Sequence, residues 1–184
     1  MQLTKILAKQ QKAIVKKWFD VVVDSYPADT ARMLKTQKDP FDNPVGSATV
    51  TGLRGLYDLL QTRQIFGEKE ASQMHLFLDP IIRIRAVQAF TPAHATGFVF
   101  GLKKIIRDHV SDKDDLKALF RLDANIDTMA LAAFDIYMRC RETLYEIKAN
   151  ETRQSTYRAF DRAGLLVGQD NADQDNADKE GLNG

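Results

Sequence analysis

The side chains able to do polar chemistry stand out in few places: the arginines of Ile82-Arg83-Ile84-Arg85, three scattered histidines, and a single cysteine, Cys140. An arginine among isoleucines must either be buried with a partner or receive an anion, because an unpaired buried charge is strongly penalised. Residues two apart on an α-helix point about 200° away from each other. Arg83 and Arg85 therefore cannot share one site, and one is expected inward with the other on a rim or subunit contact. Arg83 shares a side with Val87 and Phe90, Arg85 with Ile81, Ile82 and Ala89; the pattern leaves open which is buried. A fold-locking pair with a carboxylate, for which Asp39, Asp42 and Asp135 are candidates, is preferred over an anion-binding role.

The remaining polar residues form no recognisable catalytic set. His75, His94 and His109 do not have the HxxxH or HExxH spacing of a helix-borne zinc pair. There is no nucleophile elbow and no glycine-rich phosphate loop, since Gly46, Gly52 and Gly55 fall within a helical pattern. Cys140 sits on an apolar stripe and reads as an inert core thiol. His94, four residues before Phe98, could be a haem ligand, but a structural or exposed histidine fits the pattern better. The expectation is a non-enzyme with no catalytic, cofactor-binding or metal-binding residues.

The elements that would carry these residues are helical throughout. Leu3, Leu7, Ile14, Trp18 and Val21 or Val22 recur every three or four residues, predicting an amphipathic helix over 2–25. Residues 27–42 are irregular or hold a short helix from Asp29 to Leu34. Asn43-Pro44 is an N-cap followed by proline at the first helical position, a combination that Asp79-Pro80 and Thr91-Pro92 repeat. Three helix starts are expected there. Ser111 and Asp114 resemble a capping box opening a helix through Leu116, Leu119 and Phe120. Residues 124–163 read as one very long helix ending near Gly164. No window has the alternation and turn chemistry of a hairpin.

Along that last helix Ile126, Ala130, Ala133, Tyr137, Cys140, Leu144 and Ile147 form a heptad stripe. A core face is the preferred reading; the alternative is a seam between two protomers, with Ala130 and Ala133 allowing close approach. The stripe stops being apolar at Glu151, Gln154 and Arg158, so the helix is expected to leave the body as a solvated arm. Beyond it, Gln169–Asp173 and Gln174–Asp178 are direct repeats of QDNAD, polar and acidic, and are expected to be disordered.

At 184 residues the chain suits one domain with a substantial core. Its 44% hydrophobic and 28% charged residues are those of an ordinary globular protein, and a net charge of +1 points to neither nucleic acid nor an acidic membrane. The charge is uneven: Lys5, Lys9, Lys12, Lys16 and Lys17 make the first helix basic, a pattern usual for a solvated face. One cysteine excludes an internal disulfide and suits a reducing compartment. No apolar run approaches the ~20 residues of a membrane span, and the N-terminus lacks a signal-peptide core. A cytoplasmic location is expected.

Tyr26-Pro27, Asp39-Pro40-Phe41-Asp42-Asn43-Pro44-Val45-Gly46, Arg83-Ile84-Arg85-Ala86-Val87-Gln88 through Thr91-Pro92, and Gly97-Phe98-Val99-Phe100 with Leu102-Lys103 occur in this order. Together they resemble the RsbT co-antagonist N-terminal domain family over roughly residues 5–150. The resemblance implies an all-α, globin-like sensor domain over 1–150 that binds no haem and forms homodimers. A helical extension over 151–164 and an acidic tail over 165–184 would follow. In stressosome proteins such a domain precedes a STAS domain and signals along its last helix; here nothing after residue 150 is long enough for that module, so a stand-alone sensor is expected. Asn43, Pro44, Gly46, Arg83, Arg85, Gln88 and Pro92 carry the motif as structural positions. The partners implied are a second copy, an unidentified regulatory protein and possible small-molecule ligands. The alternatives are a haem- or tetrapyrrole-binding globin relative, or an accessory subunit of a larger redox or signalling complex.

Overall fold

A computed structural model describes residues 2–37, 39–61, 65–88, 90–110 and 116–165. All regular structure among them is helical: α1 (Gln2–Val23), α2 (Ala28–Thr36), α3 (Pro44–Leu60), α4 (Glu68–Val87), α5 (Pro92–Thr96), α6 (Phe98–Arg107) and α7 (Leu116–Arg162). The all-α reading with a long C-terminal helix holds. Contacts divide the chain into two units, Met1–Glu142 and Thr143–Gly184. In the second unit the described residues beyond Leu144 are all exposed.

Two of the three proline-marked starts are as expected. At α3 the Asn43 Oδ1 accepts the Gly46 N–H at 2.8 Å, while its Nδ2 donates to the carbonyls of Leu34 (3.0 Å) and Gln37 (2.9 Å). One buried amide thereby closes the end of α2 and opens α3. It lies where a side chain on residue 46 would have to go, which explains Gly46. At α5, Thr91 Oγ1 accepts the His94 N–H at 3.3 Å, with Pro92 in the first turn.

The third start is not there. Pro80 lies inside α4, which begins at Glu68, where the Glu70 carboxylate accepts the Gly67 N–H at 3.0 Å. A proline inside a helix costs about 3 kcal/mol, mostly through the lost bond to the carbonyl four residues back. That carbonyl belongs to Leu76, which is 73% exposed, so water can replace the missing donor. The buried face of Met74, Leu78, Ile81 and Ile82 runs unbroken across Pro80. Burying four such side chains, at about 1.5–3 kcal/mol each, outweighs the break.

The division expected near residue 124 is also absent: Leu116, Leu119 and Phe120 belong to α7 itself. The Ser111/Asp114 capping box lies outside the described residues, as does the acidic repeat of the tail. α7 ends as expected, with Gly164 at φ +66° and the Leu165 N–H donating to the Phe160 carbonyl at 3.0 Å.

The core of the first unit gathers Ile14, Trp18, Leu53, Leu56, Leu78, Ile82, Leu102 and Ile126, with Ala133 completely buried among them. The heptad stripe of α7 is divided by this packing. Ile126, Ala130, Ala133 and Tyr137 are covered by the chain's own core, so they offer no surface to a second protomer; Cys140 and Leu144 are only partly buried. α3 and α4 approach closely at Gly52, where an added Cβ would lie 2.6 Å from the Phe77 carbonyl oxygen and 2.8 Å from Ile81 Cδ1.

Gly52→Ala is accordingly expected to destabilise by about 1–3 kcal/mol through overpacking, measured by urea unfolding. An effect near zero would mean the two helices are free to separate. The buried Tyr57 hydroxyl donates to the Leu7 carbonyl at 2.9 Å. Burial, reinforced by Asp58, pushes its pKa above the usual value. Above about pH 10 the unfolded tyrosine loses its proton while the folded one keeps it, so stability falls as pH rises. Tyr57→Phe should cost about 1 kcal/mol at neutral pH and make that alkaline fall shallower in thermal melts; an unchanged slope would refute the assignment.

Candidate functional site

Arg85 is the buried arginine, at 1% exposure; Arg83 is the exposed one. The expected carboxylate partner is absent. Asp39 accepts the backbone N–H of Phe41 (2.8 Å), Asp42 accepts from Gln37 Nε2 (3.4 Å), and Asp135 is exposed on α7. Arg85 instead donates to three neutral oxygens: the Val22 carbonyl (3.4 Å), Ser25 Oγ (2.7 Å) and the His94 carbonyl (2.7 Å). Its Nε has no hydrogen-bond partner among the described residues.

Aromatic faces complete the enclosure. The guanidinium carbon lies 4.4 Å from the Phe90 ring centre, 5.2 Å from Tyr26 and 5.7 Å from Phe98. Tyr26 and Phe90 meet edge to face at 5.0 Å. Such rings present negative faces to a cation, and the attraction grows once water is gone. Val22 belongs to the last turn of α1, whose carbonyl end carries partial negative charge that a cation relieves. Burial lowers the Arg85 pKa, opposed by Tyr26 beside it, yet a guanidinium stays protonated in proteins. Conversely, burial raises the Tyr26 phenol more than the Arg85 charge lowers it.

The same corner receives α7. The Tyr137 hydroxyl donates to the Phe90 carbonyl at 2.5 Å, and Arg141 Nη1 to the Ala86 carbonyl at 3.2 Å. The Phe90 N–H in turn donates to the Arg85 carbonyl at 3.2 Å. Trp18 Nε1 donates to the Phe98 carbonyl at 2.8 Å, behind one of the rings that face the guanidinium. One buried cation thus sits where α1, α4, α5, α6 and α7 are tied together. Tyr26 and Phe98 stood within the motif blocks, but nothing in their spacing announces that they face Arg85. The His94 contribution is its main-chain carbonyl, which no side-chain pattern reveals; its side chain is exposed.

Arg83 lies on the opposite side of α4 and forms a two-bond pair with Asp79, at 3.1 and 2.8 Å. The pair lines a cleft of about 510 Å³ with His75, Pro80, Arg139 and Cys140. Gln88 is exposed at the α4 C-cap, its N–H donating to the Ile84 carbonyl at 3.1 Å. Among the described residues no group of three His, Cys, Asp or Glu side chains is placed to hold a metal ion, and no helix is long and apolar enough to cross a membrane.

The neutral enclosure of Arg85 makes an unusual ranking of substitutions. Arg85→Met loses three hydrogen bonds but strands no carboxylate and removes a buried charge. Arg85→Lys keeps the charge and loses the planar fork and ring stacking. Lysine is therefore expected to be more destabilising than methionine, by about 1 kcal/mol or more, in chemical denaturation. The reverse order would show that charge itself, not fork geometry, holds this corner. As a control, Arg83→Ala should change stability by less than about 0.5 kcal/mol.

No curated protein and no solved structure matches the chain. A family profile does, over residues 12–172, a span that contains Arg85 and the helix ends that enclose it. The chain belongs to the RsbT co-antagonist protein rsbRD N-terminal domain family.

Proposed function

We propose that this chain is a non-enzymatic regulatory sensor domain of the stressosome type, globin-like, cytoplasmic and acting as a homodimer that presents α7 to a regulatory partner. Family membership supports the signalling role. The observation that supports a route through α7 is the attachment of Tyr137 and Arg141 to the carbonyls of Phe90 and Ala86. A displacement of the Arg85 corner is thereby felt by α7 directly, through hydrogen bonds and packed rings, as coupling through a discrete structural element requires.

A second copy finds an apolar surface on the outward side of α7. Leu131, Phe134 and Met138 repeat at spacings of three and four and stand 69%, 44% and 37% exposed. A stripe of large exposed apolar side chains on an otherwise charged helix favours a partner helix. This surface takes the place of the Ala130/Ala133 seam, the alternative reading of the heptad pattern; the preferred reading, a core face, fits the burial of those two residues.

On this reading the chain sediments as a dimer, and Phe134→Glu sediments as a folded monomer with an unchanged helical spectrum. Ala133→Glu, by contrast, places a charge in the core and should unfold the chain rather than split a dimer. A wild-type monomer, or a dimer indifferent to Phe134→Glu, would overturn the homodimer built on this stripe.

A further inference from the structure

A groove of about 470 Å³ runs between α1 and α3, on a face the Arg85 corner does not use. Its apolar lining is Val15, Phe19 and Val50; its polar lining is Gln11, Lys12, Lys16 and Arg54. Phe19 and Val50 also line a second hollow of about 290 Å³, reaching toward Leu34 and Asn43. Concave apolar space of this size with a few convergent polar groups is the usual form of a small-molecule site.

Among the described residues the cations around it are unpaired. Lys12 and Lys16 lie one turn apart on α1, a spacing at which like charges repel. The acid one turn beyond Lys16 is Asp20, which pairs with Lys35 at 3.7 Å. The acid one turn beyond Arg54 is Asp58, whose carboxylate accepts from Gln11 at 2.5 Å and Gln61 at 3.3 Å. The ion pairs of the described residues engage Lys35, Arg83, Lys103 and Arg107, and none of the three cations at this groove. Asp20 is thus turned to Lys35, while Asp58 is held by Gln11 at the edge of the groove and makes no ion pair with its three cations.

We infer that this groove binds a free amphiphilic organic anion: a medium-length alkyl chain along Val15, Phe19 and Val50, with a carboxylate head met by Lys12, Lys16 and Arg54. A small polar anion would leave the apolar floor exposed, and a neutral lipid would leave the cations unanswered. The inference adds a ligand class to the sensor reading. α1 offers a route from one to the other: Phe19 lines the groove, while the adjacent Trp18 and the nearby Val22 join the Arg85 corner.

Isothermal titration of the full chain with dodecanoate, kept below its micellar range, tests the site, with dodecanol and dodecyltrimethylammonium as comparators. The expected result is saturable binding of one dodecanoate per chain, about tenfold weaker in the triple variant Lys12→Gln/Lys16→Gln/Arg54→Gln. These exposed positions should leave the circular dichroism spectrum and melting temperature nearly unchanged. Equal affinity for all three amphiphiles, equal binding by the triple variant, or many ligands per chain would overturn the proposal. So would sedimentation with phosphatidylglycerol vesicles in the absence of saturable dodecanoate binding, which would assign the basic face to a membrane surface. Binding that survives Phe134→Glu would separate the ligand site from the dimer; loss of the dimer alone would leave this inference standing.

Discussion

A guanidinium removed from water, with no carboxylate among the described residues to meet it, sets the terms for the rest of this structure. Moving a full charge into a core is among the costliest things a fold can do, and the usual remedy is an opposite charge. Here the remedy is distributed over a helix C-terminus, a serine hydroxyl, the carbonyl of His94 and three aromatic faces. No single neighbour neutralises Arg85, so the end of α1, the turn after α4, and α5 and α6 must all be in place together. The result is a corner whose components are interdependent in a way that a single ion pair would not require.

That interdependence bears on signalling. A buried ion pair concentrates its attraction in one contact, whereas a cation held by several weak neutral contacts is sensitive to the position of each. α7 enters the arrangement through two main-chain acceptors one and five residues after Arg85, those of Ala86 and Phe90. α1 enters it from the other side, with the cationic groove on one of its faces and the Arg85 corner near its end. The family to which the chain belongs is a regulatory one, and at this corner α1, α4, α5 and α7 are joined by hydrogen bonds.

Much of the scaffold was legible without coordinates. Asn43-Pro44 and Thr91-Pro92 act as read because capping is local: the side chain that accepts the first N–H groups lies within three residues of them. Gly164 ends α7 for the same local reason. Asp79-Pro80 uses the same residue types and misleads, because the apolar face on either side continues in phase and the freed carbonyl belongs to an exposed residue, Leu76. The merging of 116–123 with the long helix is a similar case, in which a plausible boundary in sequence is not a boundary in the fold. For the two arginines, helix geometry required opposite directions, and the structure buries Arg85 and exposes Arg83.

The sequence by itself determined the helical class, the family, the opposed arginines and the inward face of α7 from Ile126 to Tyr137, because these follow from periodicity and from contacts within a few residues. Only the tertiary structure decided that Arg85 is the buried one, that its partners are carbonyls and rings, and that the Ala130/Ala133 stripe faces the chain's own core. It also decided that neither Asp20 nor Asp58 forms an ion pair with the cation one turn behind it. The physical reason is common to all of these. A helix pattern states which residues share a face, but the acceptor that meets a charge is often a main-chain oxygen or a ring from an element tens of residues away, and main-chain oxygens look the same in every sequence.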